Sequence, residues 1–123
     1  MSIDPLKFTI PMVPPSMNSL YNVMFHLKRV ELKPEVRMWK TKAKMFVPMW
    51  EYNSGWIYFK ADIYTELHFK NGTPRKLDLP NLEKALIDTV FEKLGVDDSL
   101  IKEKTTRKFQ GEMGHIEVEV GLL

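Results

Sequence analysis

Cysteine is absent from the 123 residues of the chain. This absence excludes disulfides, thiolate metal sites and cysteine nucleophiles, and it suits a reducing compartment. Long apolar runs are also missing, because none approaches the roughly 20 residues that a membrane-spanning helix needs. The first nine residues do not contain a basic stretch followed by an apolar run, as a signal peptide does. The sequence therefore predicts a cytoplasmic protein without a membrane segment.

Two common ligand-binding patterns are missing as well. Gly95, Gly111 and Gly114 lack the spacing and setting of a phosphate-binding loop. His68 and His115 fall on predicted strands, and no two histidines have the spacing of metal ligands. These observations exclude a nucleotide-binding loop and a paired-histidine metal site, and we assign no catalytic role to the histidines.

Charge is nearly balanced overall, at +2, but it is unevenly distributed. Five basic residues lie between positions 33 and 44, where Glu35 is the only acidic residue. Lys70, Arg75 and Lys76 form a second basic group. Local concentrations of this kind can neutralise DNA phosphates even when the total charge is small. The alternative interpretation is a solvated surface that only keeps the protein soluble.

Hydrophobic periodicity predicts one domain over residues 1–123, of the α+β class, with two main helices and a mixed sheet. The predicted strands cover residues 7–12, 56–70, 101–109 and 115–120. The first helix begins at Pro34, ends or bends at Pro48, and has an apolar face of Val36, Trp39, Ala43, Phe46, Val47 and Trp50. The second helix runs from Pro80 or Asn81 to Leu94, ends at Gly95, and buries Leu82, Ala85, Leu86, Thr89 and Val90. Residues 19–33 are compatible with either strand or loop.

Acidic residues flank the second predicted helix. Asp78 precedes it, Asp97 and Asp98 follow it, and Asn81, Lys84 and Asp88 lie along one of its polar stripes. Carboxylates from separate loops suit Mg²⁺, and a nearby lysine can stabilise charge that develops on a phosphodiester. Taken singly, these aspartates are also compatible with helix caps and turns, and Lys84 with an exposed surface position.

In order and spacing, these residues resemble the RusA family of Holliday junction resolvases, which occur in bacteria and often in phages or prophages. The resemblance covers nearly the whole chain and includes the loop Pro14-Pro15-Ser16-Met17-Asn18 with Tyr21, the pair Glu66 and His68, and the basic turn Arg75-Lys76. It is strongest in Asp78-x-x-Asn81-x-x-Lys84-x-x-x-Asp88, followed by Gly95-Val96-Asp97-Asp98-Ser99-x-Ile101.

The resemblance implies a homodimeric endonuclease that cuts four-way DNA junctions with Mg²⁺, for which Mn²⁺ can substitute. It implies that Asp78, Asp97 and Asp98 form the metal site, and that Asp78, Lys84 and Asp98 are catalytic. The expected DNA contacts are Asn18 and five basic residues, Arg37, Lys40, Lys44, Arg75 and Lys76.

One position departs from the family motif. Where the family has a second Asp, this chain has Pro80, whose side chain has no ligand oxygen. Asp78 and the later aspartates then suffice with extra waters, another carboxylate such as Glu83 or Glu66 substitutes, or catalysis is weakened. Two alternatives to an active nuclease therefore stay open: a junction-binding relative with little cleavage, and a small α+β interaction module without DNA.

Overall fold

A computed structural model describes residues 3–13, 21–24, 29–32, 34–65, 69–70, 73–74, 79–110 and 114–123. Its elements are β1 (Leu6–Ile10), β2 (Tyr21–Met24), β3 (Arg29–Leu32), α1 (Pro34–Ala43), β4 (Ile57–Thr65), β5 (Phe69–Lys70), β6 (Thr73–Pro74), α2 (Leu79–Leu94), β7 (Ile101–Gln110) and β8 (His115–Leu122). Short 3₁₀ turns at Lys44–Phe46 and Asp98–Leu100 follow α1 and precede β7. This is the α+β architecture with two main helices that the periodicity predicts.

The main sheet has four strands in the order β1-β8-β4-β7. β8 is antiparallel to both β1 and β4, whereas β7 is parallel to β4, so the sheet is mixed. A parallel neighbour needs a long crossover connection, and α2 lies on the connection between β4 and β7. The strand β7 therefore forms one edge of the sheet, directly after α2 and the two aspartates that follow it.

Alternation along β4 determines which face of the sheet is buried. Ile57, Phe59, Ala61 and Ile63 are at most 2% exposed, while Tyr58, Lys60, Asp62 and Tyr64 point to the other, open face. The helices cover the buried face: all five predicted residues of α2 are buried, and α1 contributes Val36, Trp39 and Ala43 to the same core. One hydrophobic core thus fixes α2, and with it the polar side of α2.

Two predicted details are wrong. The predicted strand 56–70 is divided between two sheets, and its part in the main sheet, β4, covers only Ile57–Thr65. Phe69–Lys70 instead pairs with Thr73–Pro74. Phe46 is 41% exposed and not part of the buried face, because the chain tightens into a 3₁₀ turn at Lys44–Phe46 and the angular spacing of side chains changes there.

The region 19–33, which the sequence left open, contains the antiparallel pair β2–β3. The predicted N-terminal loop with Asn18 and the basic turn at Arg75 and Lys76 lie outside the described residues. Within the part of the chain that the structure describes, no helix has the length and apolar character needed to cross a bilayer.

The C-terminus of α2 positions the acidic loop. Gly95 has a φ of +70°, and its N–H donates to the carbonyl of Glu92, while the Val96 N–H donates to the carbonyl of Phe91. These two bonds form a Schellman motif, which ends a helix with a residue in the left-handed conformation. The chain consequently turns back at Gly95, as predicted, and brings Asp97 and Asp98 beside the last turns of α2.

Candidate metal and DNA site

The polar side of α2 carries a stripe of charged residues, Lys84, Asp88 and Glu92, which we call the α2 stripe. Residues at i, i+4 and i+8 stay within about 80° of one another on a helix that turns about 100° per residue. Helix α1 packs alongside: the Nζ of Lys40 lies 3.0 Å from one carboxylate oxygen of Glu92, and the Nζ of Lys44 lies 2.8 Å from the other. The α2 stripe therefore faces the basic side of α1.

Asp88, in the middle of the α2 stripe, is the point where the site residues converge. Partial burial raises the pKa of its carboxyl, Lys40 and Lys84 act to lower it, and the nearby charges of Asp98 and Glu92 act to raise it. These interactions require Asp88 to lie within electrostatic range of both Lys84 and Asp98. Two residues predicted from sequence to be catalytic, Lys84 and Asp98, thus lie near one half-buried carboxylate.

The two consecutive aspartates play different local roles. The Oδ1 of Asp97 accepts a hydrogen bond from the Ser99 N–H at 2.9 Å, which caps the 3₁₀ turn and lowers the pKa of Asp97. Asp98 is the first residue of that turn and its side chain is exposed. Asp97 and Asp98 both line one hollow with Asp88, and Asp98 is the member of the pair whose charge raises the pKa of Asp88.

Asp98 stands between two surface hollows. The acidic hollow, of about 320 Å³, is lined by the carboxylates of Asp88, Glu92, Asp97 and Asp98 over Phe91 and Val96. The basic groove, of about 430 Å³, lies between α2 and β7 and is lined by Ile87, Asp98, Ile101, Lys102 and Lys104. Another hollow of about 340 Å³ lies against β1 and β8, away from the α2 end of the sheet, and contains none of the predicted site residues.

Glu83, one of the carboxylates considered as a substitute at the Pro80 position, points to the basic groove. Its Oε1 lies 2.7 Å from the Nζ of Lys104. Burial acts to raise the pKa of Glu83, but Lys104, through its hydrogen bond and charge, and Thr106 together outweigh burial, so the pKa is lowered. Glu83 lies about 140° around the helix from Asp88 at about 100° per residue. It is therefore held away from the α2 stripe. Glu66, the other candidate, lies outside the described residues.

The donor set fits a hard divalent cation in chemical type. Carboxylate oxygens are the ligands that Mg²⁺ prefers, and Mg²⁺ needs only one or two of them in addition to water and substrate phosphate. Asp88 and Asp98 supply two carboxylates close enough to interact. Among the residues that the structure describes, no group of three or more acidic, histidine or cysteine side chains is placed to hold a metal ion. Asp78, the other predicted ligand, lies outside them.

The structure describes three of the six predicted DNA contacts. Lys40 and Lys44 form ion pairs with Glu92, and the Lys40 side chain is only 12% exposed, whereas Arg37 is exposed on α1. Asn18, Arg75 and Lys76 lie outside the described residues. For all six residues, DNA contact stays a prediction.

Sequence reasoning missed two parts of this site. It assigned no role to Glu92, although Glu92 continues the i, i+4 spacing of Lys84 and Asp88 and is the residue that ties α1 to α2. It also overlooked the basic residues of β7, which run Lys102, Lys104, Arg107 and Lys108 with Glu103 as the only acid. A short count of charges in that predicted strand would have identified them.

Comparison with known families supplies an independent observation. The family model described as endodeoxyribonuclease RusA matches residues 28–121. This span includes both helices, the whole α2 stripe and three of the four strands of the main sheet, namely β4, β7 and β8 up to its penultimate residue. No curated protein matches the chain.

Proposed function

Because the chain belongs to the RusA endodeoxyribonuclease family, we propose that it is a cytoplasmic, Mg²⁺-dependent endonuclease that resolves four-way DNA junctions. The single observation that carries the proposal beyond the family match is that Asp88 and Asp98 line one hollow, with Lys84 one helical turn from Asp88. These residues come from the helix and from the loop after it, and a cation bound by carboxylates from separate segments is the arrangement that phosphodiester hydrolysis needs.

Each residue has a role in the proposal. Asp78 and Asp98 hold the metal with Asp97 beside them, and the metal, when bound, supplies a water of lowered pKa and neutralises charge on the scissile phosphate. Lys84 stabilises charge that develops on the phosphate or its leaving oxygen. Asp88, which lines the acidic hollow with Asp98, adds a carboxylate beside the metal site, and the Lys84 ammonium one helical turn away partly balances its charge. Arg37, Lys40, Lys44, Arg75, Lys76 and Asn18 contact DNA.

The substrate and the assembly are proposed together. A four-way junction has approximate two-fold symmetry, so a two-fold homodimer can place one site on each of two opposed strands. Light scattering of the purified protein alone and with junction tests this part. A scattering mass of one chain in the junction complex would contradict it.

The direct test is cleavage of a synthetic four-way junction by purified protein in Mg²⁺. Asp78→Asn, Asp98→Asn and Lys84→Ala are each expected to lower the rate by about 10²–10³-fold, as removal of a group that stabilises transition-state charge does. Asp4→Asn and Lys93→Ala are matched controls, because they make the same chemical changes at exposed positions outside the site. Equal cleavage by all six proteins would reject the proposal.

Pro80 supports a second candidate function, a junction-binding protein with weakened catalysis. Pro80 has no ligand oxygen, and the nearby Glu83 is held by Lys104, so this first turn of α2 offers no described carboxylate to replace it. Tight junction binding without cleavage in Mg²⁺ or Mn²⁺ favours this candidate. Pro80→Asp then raises the cleavage rate, and the exposed position in the first helical turn tolerates an acidic residue.

A further inference from the structure

The edge strand β7 concentrates positive charge next to the candidate site. It carries Lys102, Lys104, Arg107 and Lys108 against one acidic residue, Glu103. Lysines on an exposed edge strand also discourage pairing with other sheets. That role requires positive charge along the strand, but it does not require the charge to lie beside any particular site. In this chain two of these charges lie beside the site, because Lys102 and Lys104 line the basic groove together with Asp98.

The register of the sheet separates the basic residues of β7 into two groups. Lys104 pairs with Phe59 and Lys108 with Ile63, so both lie on the face of the sheet that carries the helices. Arg107 pairs with Asp62 on the open face, where its guanidinium makes two hydrogen bonds to the Asp62 carboxylate at 2.8 and 3.0 Å. Only the first group is on the α2 side of β7.

Lys102 and Lys104 are held in place while staying accessible. The Nζ of Lys102 lies 4.6 Å from the centre of the Trp56 ring, and Trp56 is itself 53% exposed. Lys104 contacts Glu83 at 2.7 Å, yet its side chain is 49% exposed. An ammonium has three donor hydrogens, so one contact to Glu83 leaves donors for another acceptor. Both lysines are therefore oriented toward the groove without being covered.

The length of the basic segment matches a stretch of nucleic acid. From Lys102 to Lys108 the strand rises about 20 Å at about 3.3 Å per residue. One strand of B-form DNA rises about 3.4 Å per nucleotide, so the segment spans about six nucleotides.

We propose that the basic groove and the adjoining lysines of β7, namely Lys102, Lys104 and Lys108, bind the phosphate backbone of the DNA strand that leads away from Asp98. The acidic hollow, which offers carboxylates for the cation at the scissile phosphate, adjoins this groove at Asp98. This inference rests on the proposed nuclease function and names the surface that holds its substrate.

The experiment measures binding of a synthetic four-way junction, in EDTA to prevent cleavage, over a series of salt concentrations. Each phosphate contact contributes about 0.9 to the slope of log affinity against log salt. The double variant Lys102→Gln with Lys104→Gln is expected to reduce the slope by about 1.8 and, at 0.1 M salt, to weaken binding by about eightfold per lysine. The matched control is Lys7→Gln with Lys60→Gln, which removes two charges from the open face of the sheet and is expected to leave the slope near that of the wild type.

Two further variants distinguish the loss of phosphate contacts from a folding defect. Lys102→Gln alone keeps the ion pair of Lys104 with Glu83 and is expected to lower the slope by about 0.9. Lys102→Arg with Lys104→Arg keeps both charges and is expected to retain the wild-type slope. If the wild type binds and cleaves junctions but the double Gln variant has the same slope as its control, the inference about the groove is overturned and the proposed function is not. A wild-type protein that neither binds nor cleaves junctions would overturn the proposed function as well.

Discussion

Glu92 offers the sharpest test of how the site is built, because it joins the two helices through two lysines of α1. Lys40 Nζ and Lys44 Nζ lie 3.0 and 2.8 Å from its carboxylate oxygens. Replacing Glu92 with Gln keeps the size of the side chain but removes the charge that both ammonium groups face.

The expected loss follows from exposure. Exposed ion pairs contribute about 0.2–1 kcal/mol, whereas leaving a fully buried charge without its partner costs about 3–5 kcal/mol. The side chains of Lys40 and Lys44 are 12% and 37% exposed, and that of Glu92 is 49% exposed, so solvent screens the pair in part. We expect Glu92→Gln to lower the free energy of unfolding by about 1–2 kcal/mol, between these limits. Lys40→Met is expected to cost more than Lys44→Met, because Lys40 is the less exposed partner.

Urea unfolding at neutral pH measures these differences, with an unchanged m-value indicating that only stability has changed. Glu51→Gln is the matched control, since it makes the same chemical change at an exposed loop position. The hydrogen bond from Lys44 lowers the pKa of Glu92 in the folded protein from its ordinary value of 4.5, burial acts in the opposite direction, and Lys40 adds to the lowering. A carboxyl with a lowered folded pKa stabilises the protein above its unfolded pKa, and this stabilisation is lost as the pH falls through the folded pKa. The difference between wild type and Glu92→Gln should therefore shrink below about pH 4.5. Equal stability of Glu92→Gln and Glu51→Gln at pH 7 would refute the role of Glu92.

Three further predictions concern the fold that supports the site. Tyr58→Phe removes a 2.6 Å hydrogen bond to Glu119 and should cost about 1 kcal/mol in urea unfolding. That hydrogen bond, with burial and the Glu119 charge, raises the pKa of Tyr58 from 10.0 to about 12. The stabilisation by the hydrogen bond is therefore complete below pH 10 and is lost as the pH rises to 12. A difference in unfolding free energy between wild type and Tyr58→Phe that stays constant across that range would contradict this. Gly95→Ala should cost about 1–2 kcal/mol in thermal unfolding for conformational reasons alone, because φ is +70° and an added Cβ meets no atom within 4 Å; an unchanged melting temperature would show that the helix end can relax. Leu86→Ala should cost about 2–5 kcal/mol by opening a cavity at a fully buried position, and a loss below 1 kcal/mol would indicate that α2 is not packed as described.

Periodicity was sufficient to predict the elements that carry the core. The alternation in β4 and the helical spacing in α2 each indicated the buried face, because burial of one face is what gives a sequence its period. The spaced residues of α2 are Leu82, Ala85, Leu86, Thr89 and Val90. Gly95 identified the end of α2 for a local reason, its positive φ.

Element boundaries and distant pairs were not predictable in this way. The pairing of Phe69–Lys70 with Thr73–Pro74 in a separate sheet depends on contacts that alternation within residues 56–70 does not record. Likewise, Lys40 and Glu92 are 52 residues apart, and their ion pair exists only because α1 and α2 pack on the same face of the sheet. The closeness of Asp88 and Asp98 has a similar origin, since it depends on the turn at Gly95 that returns the chain along α2.

The measurement that tests the central claim most directly is the single-turnover rate of junction cleavage as a function of Mg²⁺ concentration, for the wild type and for Asp98→Asn. We expect the wild-type rate to rise with Mg²⁺ and to saturate, and Asp98→Asn to cleave at least about 100-fold more slowly at the same concentrations. Cleavage by the wild type that is independent of divalent metal, or an equal rate and Mg²⁺ dependence in Asp98→Asn, would contradict it.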